Sequence, residues 1–285
     1  MTRDWKLRPL QTQSVTLLRP EALFGLKDKV AIVTGAGGGL GAWLSAGLAA
    51  AGAHVFMTDH PRSPTRGVAD TIRESGAVVR EHQCDLMDSD AAEKIVAAAV
   101  AEFSRVDILV NNAGTNRREP IFEVSRKTWD LIATVDLRLP YELSRAAAKV
   151  MAERGGSGGS IIHIGSLNNA IGLHGVSVYG AHKAALCQLA KSMAIEWADY
   201  RIRVNALCPG FMLTPLSKPL WDNPEKGSWI LERSLLKRPG YPEELIGPLL
   251  LLASEAGSFI TGQTMYVEGG WLAGTSWAEP PSDKQ

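Results

Sequence analysis

The sequence predicts an α/β fold, a single doubly wound domain on a parallel sheet of about seven strands. Three observations carry this. Short apolar, β-branched runs alternate with Ala- and Leu-rich stretches along most of the 285 residues. The runs lack polar alternation, which suits parallel strands covered by helices on both faces. A glycine cluster follows the first run at once, where a strand can turn sharply into a helix.

The elements follow in order. Residues 1–25 show no clear period and are expected to form an N-terminal extension on a domain spanning 26–272, with 273–285 a C-terminal tail. Residues 29–34 (KVAIVT) form the first strand and 40–51 the first helix. A strand at 54–58, a helix at 68–75 and a strand at 77–84 come next. A helix at 91–103 leads to a strand at 106–111 (VDILVN). One long helix is expected from 127 to about 154, broken by GGSGG at 155–159. Then come a strand at 160–164, a helix at 177–200, a strand at 203–207, a helix at 243–254 and a last strand at 264–267. No internal repeat interrupts the series.

Composition excludes several functions. Lys plus Arg and Asp plus Glu are 30 each, so the chain carries no net charge to hold nucleic acid or an anionic membrane. Cys84, Cys187 and Cys208 sit in apolar runs with no CxxC spacing, so buried free thiols are expected rather than disulfides or a metal site. No run approaches the roughly 18 apolar residues of a membrane span. The expected location is the cytoplasm.

The glycine cluster reads Thr34-Gly35-Ala36-Gly37-Gly38-Gly39-Leu40-Gly41. Glycines let backbone approach a pyrophosphate, and the helix that follows offers N–H donors and the positive end of its dipole. Two registers fit: Gly35, Gly39 and Gly41, or Gly37, Gly39 and Ala42. Either makes this the dinucleotide-binding turn of a Rossmann fold. Asp59 ends the second strand, 20 residues after Gly39, where a carboxylate reaches the adenosine ribose. It would repel a 2′-phosphate, so NAD is expected over NADP, although Arg62 and Arg66 follow closely.

Tyr179 and Lys183 stand at i and i+4 on one helix face, and Ser166 lies just past the strand at 160–164. An ammonium beside a phenol favours the phenolate. A depression by about three pH units, roughly 4 kcal/mol, would let it take an alcohol proton near neutrality. Ser166 would hold the substrate oxygen.

TGAGGGLG at 34–41, NNAG at 111–114, Ser166, YGAHK at 179–183 and PG at 209–210 together resemble the short-chain dehydrogenase/reductase family, over about residues 25–272. The resemblance implies the register Gly35, Gly39 and Gly41, with Gly37, Gly38 and Leu40 completing the turn. Gly38 stands where NADP-preferring relatives often carry a basic residue. It also implies that Asp85 and Leu86 bracket the adenine, and that Asn112, Ala113 and Gly114 lie along the cofactor while Asn111 steadies the next strand. Lys183 would bind the nicotinamide ribose, and Pro209, Gly210 and Thr214 would flank the carboxamide. Tyr179 would be the general acid–base and Ser166 the orienting hydroxyl. One position departs: Asp136 stands where many relatives have an Asn that supports a water chain to the lysine. A charge there would keep Lys183 protonated and offset its effect on Tyr179, giving an alkaline optimum.

The stretches NNAGTNRREPIFEVSRKTWDLI and PEELIGPLLLLASEAGSFITGQTMYVEGGW are similar to the gluconate 5-dehydrogenase and 2-deoxygluconate-type branch. An anionic sugar is then the expected substrate, with Arg117 and Arg118 near its entry and with Asn168, Asn169 and His174 offering polar contacts. The resemblance further implies a mobile lid at about 211–240, in which Trp221 and Trp229 pack or stack on the sugar. It also implies a homotetramer in which Trp271 and Trp277 are candidates to reach a neighbour's site. The alternatives are a 3-oxoacyl thioester reductase or other carbonyl reductase of the family, and a non-catalytic NAD-binding sensor.

Overall fold

The structure is a computed structural model that describes residues 12–63 and 65–274. Two short helices, α1 (Thr12–Leu17) and α2 (Pro20–Phe24), precede the sheet. The chain then runs β1 (Val30–Thr34), α3 (Gly39–Ala50), β2 (His54–Asp59), α4 (Arg66–Glu74), β3 (Val79–Gln83), α5 (Ala91–Phe103) and β4 (Ile108–Asn111). The second half runs α6 (Arg126–Ala133), α7 (Leu139–Glu153), β5 (Gly159–Ile164), α8 (Ser177–Glu196) and β6 (Ile202–Pro209). It continues through α9 (Lys218–Trp221), α10 (Pro224–Arg233) and α11 (Ile246–Ala253) to β7 (Thr264–Val267).

The seven strands are all parallel, in the order β3-β2-β1-β4-β5-β6-β7. Successive residues of a strand point to opposite faces, and both faces are covered. Ile32 and Ile161 face a core built from α5, α7 and α8. Ala31, Val33 and Ile162 face one built from α3, α4 and α11. That is why β1 is buried at every position and reads as an unbroken apolar run. The edge strands β3 and β7 are half-buried and carry the polar and exposed residues.

Strand order reverses between β1 and β4, which opens a crevice at the carboxyl ends of the strands. The glycine turn, Asp59, NNAG, Ser166 and the Pro209-Gly210 step all follow or close strands at that end. Among the described residues no helix is long and apolar enough to cross a membrane, and no cluster of three potential metal ligands occurs. All three cysteines are free and buried.

The long helix expected from 127 to about 154 is not a continuous α-helix. Thr134–Arg138 widens into a π-helical turn, in which the Leu139 N–H reaches back to the Thr134 carbonyl. Pro140 follows. Proline has no N–H and its ring clashes with the carbonyl four residues back, here that of Asp136. A turn of wider pitch relieves that clash. The helix expected at 243–254 likewise begins as a 3₁₀ turn, Pro242–Leu245. The segment expected to be a lid folds into α9 and α10, with a bridge between Met212 and Gly240 at its base.

Candidate active site

The glycine turn is built by close backbone approach. A Cβ on Gly41 would collide with the Gly35 carbonyl oxygen, and one on Gly35 would lie 2.9 Å from Cα of Ala113. Around Gly38 and Gly39 the space is open. No side chain caps the start of α3, so its first N–H groups remain available to an anion. These features fit the pyrophosphate of a dinucleotide.

Asp59 lies beside this turn. One carboxylate oxygen accepts the Gly37 N–H at 2.7 Å and the other accepts the His60 N–H at 2.7 Å. Asn112 serves the turn as well. Its side-chain amide donates to the Thr34 and Gly35 carbonyls at 2.9 and 3.1 Å. The Thr34 hydroxyl in turn accepts the N–H groups of Asn112 and Ala113 at 3.0 and 2.9 Å. The end of β4 is thereby tied to the end of β1. Asn111 donates to Ser144 at 2.9 Å and meets the ring of His163 at 3.1 Å, which steadies β5. Burial holds His163 neutral, with its pKa down to about 3. Leu86 is buried in the core beneath Asp85, whose carboxylate accepts the Met87 N–H at 3.0 Å. At the other end of the crevice, the Gly210 N–H donates to Val267 at 2.9 Å, and the Thr214 N–H donates to Ser217 at 2.9 Å.

The catalytic candidates come together at the ends of β4 and β5. Lys183 is buried on α8. Its ammonium donates to the Ile164 carbonyl at 2.9 Å and lies 3.1 Å from Asp136, which is fully buried in the wide turn. The second Asp136 oxygen accepts the Thr115 N–H at 3.0 Å. Gly114 leaves room for this pair, since a Cβ there would lie 2.9 Å from Asp136 Oδ1 and 3.4 Å from Lys183 Nζ. The ammonium also lies 5.6 Å from the centre of the Tyr179 ring. Ser166, at the exit of β5, accepts the Asn168 N–H at 3.2 Å and donates to the Asn168 side chain at 3.3 Å. Asn168 is therefore engaged with Ser166. Asn169 points the other way, toward Cys187 at 2.9 Å and Tyr266 at 2.8 Å.

The electrostatics correct the expected acidic phenol. Burial pushes the Tyr179 hydroxyl above its usual value, and the Asp136 charge adds to the rise. The Lys183 ammonium and the Ser166 hydroxyl pull the other way without winning. Burial pulls Lys183 down, but Asp136 and Tyr179 outweigh it and hold the ammonium above its ordinary value. Part of the lysine's charge is thus spent on its carboxylate partner.

A cleft of about 490 Å³ is lined in part by residues 172–175, from the loop that runs between Ser166 and Tyr179. Arg118 and His174 line it with Gly172, Leu173 and Gly175. Arg117 is not among its walls and lies instead where its charge reaches Glu119. Phe211, Leu220, Lys226, Trp229 and Ile230 complete its lining. Lys226 carried no sequence signal, because nothing in the PEKG run marks which face of a short helix meets the cleft. Trp271 packs within its own chain, 5.0 Å from Phe211 and 5.3 Å from Trp229 by ring centres. It therefore packs against α10 and the segment just past β6. Trp277 lies outside the described residues.

Comparison with known proteins follows the same lines. The family model described as Enoyl-(Acyl carrier protein) reductase matches residues 35–272. The chain is 39% identical over 253 residues to the 2-dehydro-3-deoxy-D-gluconate 5-dehydrogenase of Escherichia coli (strain K12), covering 88% of this chain and 98% of that one. It is 34% identical to the gluconate 5-dehydrogenase of Gluconobacter oxydans (strain 621H), over 87% of this chain and 96% of the relative. Among solved structures, the gluconate 5-dehydrogenase from Burkholderia cenocepacia J2315 in complex with NADP and tartrate superposes with a TM-score of 0.86 at 32% identity. That match covers 90% of this chain and 100% of the other.

Proposed function

The chain belongs to the short-chain dehydrogenase/reductase family, and from that premise we propose that it interconverts a secondary alcohol and a ketone on a sugar acid, with Tyr179 moving the proton. The carrying observation is the grouping of Tyr179, Lys183 and Asp136 beside Ser166, with a cleft lined by Arg118, His174 and Lys226 that the loop between Ser166 and Tyr179 helps to form. A nicotinamide dinucleotide supplies the hydride acceptor or donor. The glycine turn and the start of α3 would hold its pyrophosphate, with Lys183 near its ribose and the Pro209-Gly210 step near its carboxamide. Ser166 would orient the substrate oxygen, and the Tyr179 phenolate would take its proton during oxidation or return it during reduction. Segment 211–240 would act as a lid. A cytoplasmic homotetramer is part of the same proposal and rests on the family resemblance.

Within this reading Asp59 sets the cofactor preference toward NAD. Its carboxylate stands beside the glycine turn, and Gly38 offers no cation there. The relative from Burkholderia cenocepacia holds NADP, so the choice of dinucleotide is a discriminating measurement. Initial rates across a panel of sugar acids and 3-hydroxyacyl thioesters, each with NAD and with NADP, test both halves. Sugar-acid turnover is expected, with kcat/KM for NAD at least about tenfold above that for NADP, and Asp59→Ser is expected to narrow the gap. Turnover confined to thioesters would reverse the substrate half. Equal use of both dinucleotides would reverse the cofactor half.

Asp136 gives a pH prediction. Its charge raises Tyr179, so kcat/KM for oxidation should climb toward alkaline pH as the phenol ionises. Asp136→Asn removes that contribution, and the rising limb should move acidward while Lys183 stays charged. A limb that does not move would mean that Asp136 carries no charge in the working enzyme.

A further inference from the structure

We propose that Lys226 of α10 and Arg118 of the loop after β4 form a two-sided cation clamp on the carboxylate of the substrate. This rests on the sugar-acid reading above and adds a specificity-determining residue to it. Lys226 and Arg118 come from different parts of the chain and line the same cleft. Arg118 belongs to the loop that leaves β4, which is tied to the sheet through Asn112 and Thr34. Lys226 sits in the first turn of α10, where the Asn223 side chain caps its N–H at 2.9 Å and fixes its backbone.

The basic residues around Lys226 have other occupations. Lys218 pairs with Asp222. Arg233 lies over the Trp229 ring, 4.2 Å from its centre. Lys237 donates to the Glu232 carbonyl at 2.8 Å, and Arg238 pairs with Glu244. Among the described residues neither Lys226 nor Arg118 has a carboxylate within ion-pair distance. The one acid in the cleft wall, Glu119, is committed to the start of α6. It accepts the Thr128 hydroxyl at 2.7 Å and the Ser125 N–H at 3.1 Å.

Two like charges facing one cleft disfavour its closure until an anion lies between them. A carboxylate supplies that anion, with the guanidinium fork fixing its plane and the ammonium acting as a point charge from the other side. A volume of about 490 Å³ accommodates a six-carbon acid beside Trp229 and Phe211. The clamp thus selects acids over the corresponding neutral polyols by binding.

The test measures steady-state KM and kcat for D-gluconate and for its neutral analogue sorbitol. Wild type, Lys226→Gln, Lys226→Arg and Arg118→Gln are compared at low and high ionic strength. Lys226→Gln is expected to raise KM for D-gluconate about tenfold with kcat within threefold, and to collapse the ratio of sorbitol KM to gluconate KM. Lys226→Arg is expected to restore most of that ratio. The gluconate KM of the wild type should rise with salt more steeply than that of Lys226→Gln. A gluconate KM within twofold of wild type in Lys226→Gln, or an equal rise for both substrates, overturns the clamp while leaving the sugar-acid reading standing. A wild type with no saturable turnover of any sugar acid overturns the clamp together with that reading.

Discussion

Tyr179→Phe is expected to lower kcat for alcohol oxidation by about 10²–10⁴-fold, the range that positioned acid–base groups contribute. The dinucleotide dissociation constant should stay within a few-fold. The phenol hydroxyl is the only group removed, and the hydrogen bonds that hold the turn for the pyrophosphate run between Asn112 and the end of β1. Ser166 cannot replace it, because its hydroxyl is engaged with Asn168 and starts far less acidic than a phenol. Lys183 cannot replace it either, since it is held protonated by Asp136 and bound to the Ile164 carbonyl. Steady-state rates by absorbance and dinucleotide binding by fluorescence quenching measure the two quantities separately. Turnover within tenfold of wild type would mean that another group moves the proton.

Lys183→Met is expected to be the most destabilising change in the site, by about 3–5 kcal/mol near neutral pH, because it strands the Asp136 carboxylate in the interior. The loss must depend on pH with a definite sign. Burial already raises Asp136, and deleting its partner raises it further. A carboxyl whose folded pKa exceeds its unfolded value binds protons better in the native state. The variant should therefore be close to wild type below about pH 4, where the acid is protonated in both states. It should lose stability as pH climbs through the unfolded and then the folded value. Adding Asp136→Asn removes the stranded charge, and the double variant should recover much of the loss while remaining inactive. Urea titrations from pH 4 to 8 read all three proteins. A single variant whose deficit is flat with pH would show that the buried pair is not ionic.

Much of the fold and site was legible because the signals were local. The apolar runs of β1, β4, β5 and β6 announce a covered parallel sheet, and glycines between a strand and a helix announce the turn. The i, i+4 spacing alone puts Tyr179 and Lys183 on one helix face. What stayed hidden depends on tertiary surroundings. A continuous helical period across 127–154 does not reveal the wide turn, although Pro140 is the residue that forces it. Proximity in sequence suggested a lysine acting freely on a tyrosine. Burial of the phenol and the lysine's commitment to Asp136 reverse the direction of the shift. Arg117 and Arg118 look equivalent as neighbours in a loop, yet only Arg118 faces the cleft. Asn112 also ties the ends of β1 and β4 together, a role that its place in NNAG does not announce.

Trp271 leaves the far edge of the sheet and wedges between Phe211, just past β6, and Trp229 on α10. Swinging α10 outward therefore means unstacking an indole that is anchored behind the last strand. If segment 211–240 moves as the proposed lid, that stack would resist its opening, and a chain trimmed ahead of the indole would lose the restoring contact.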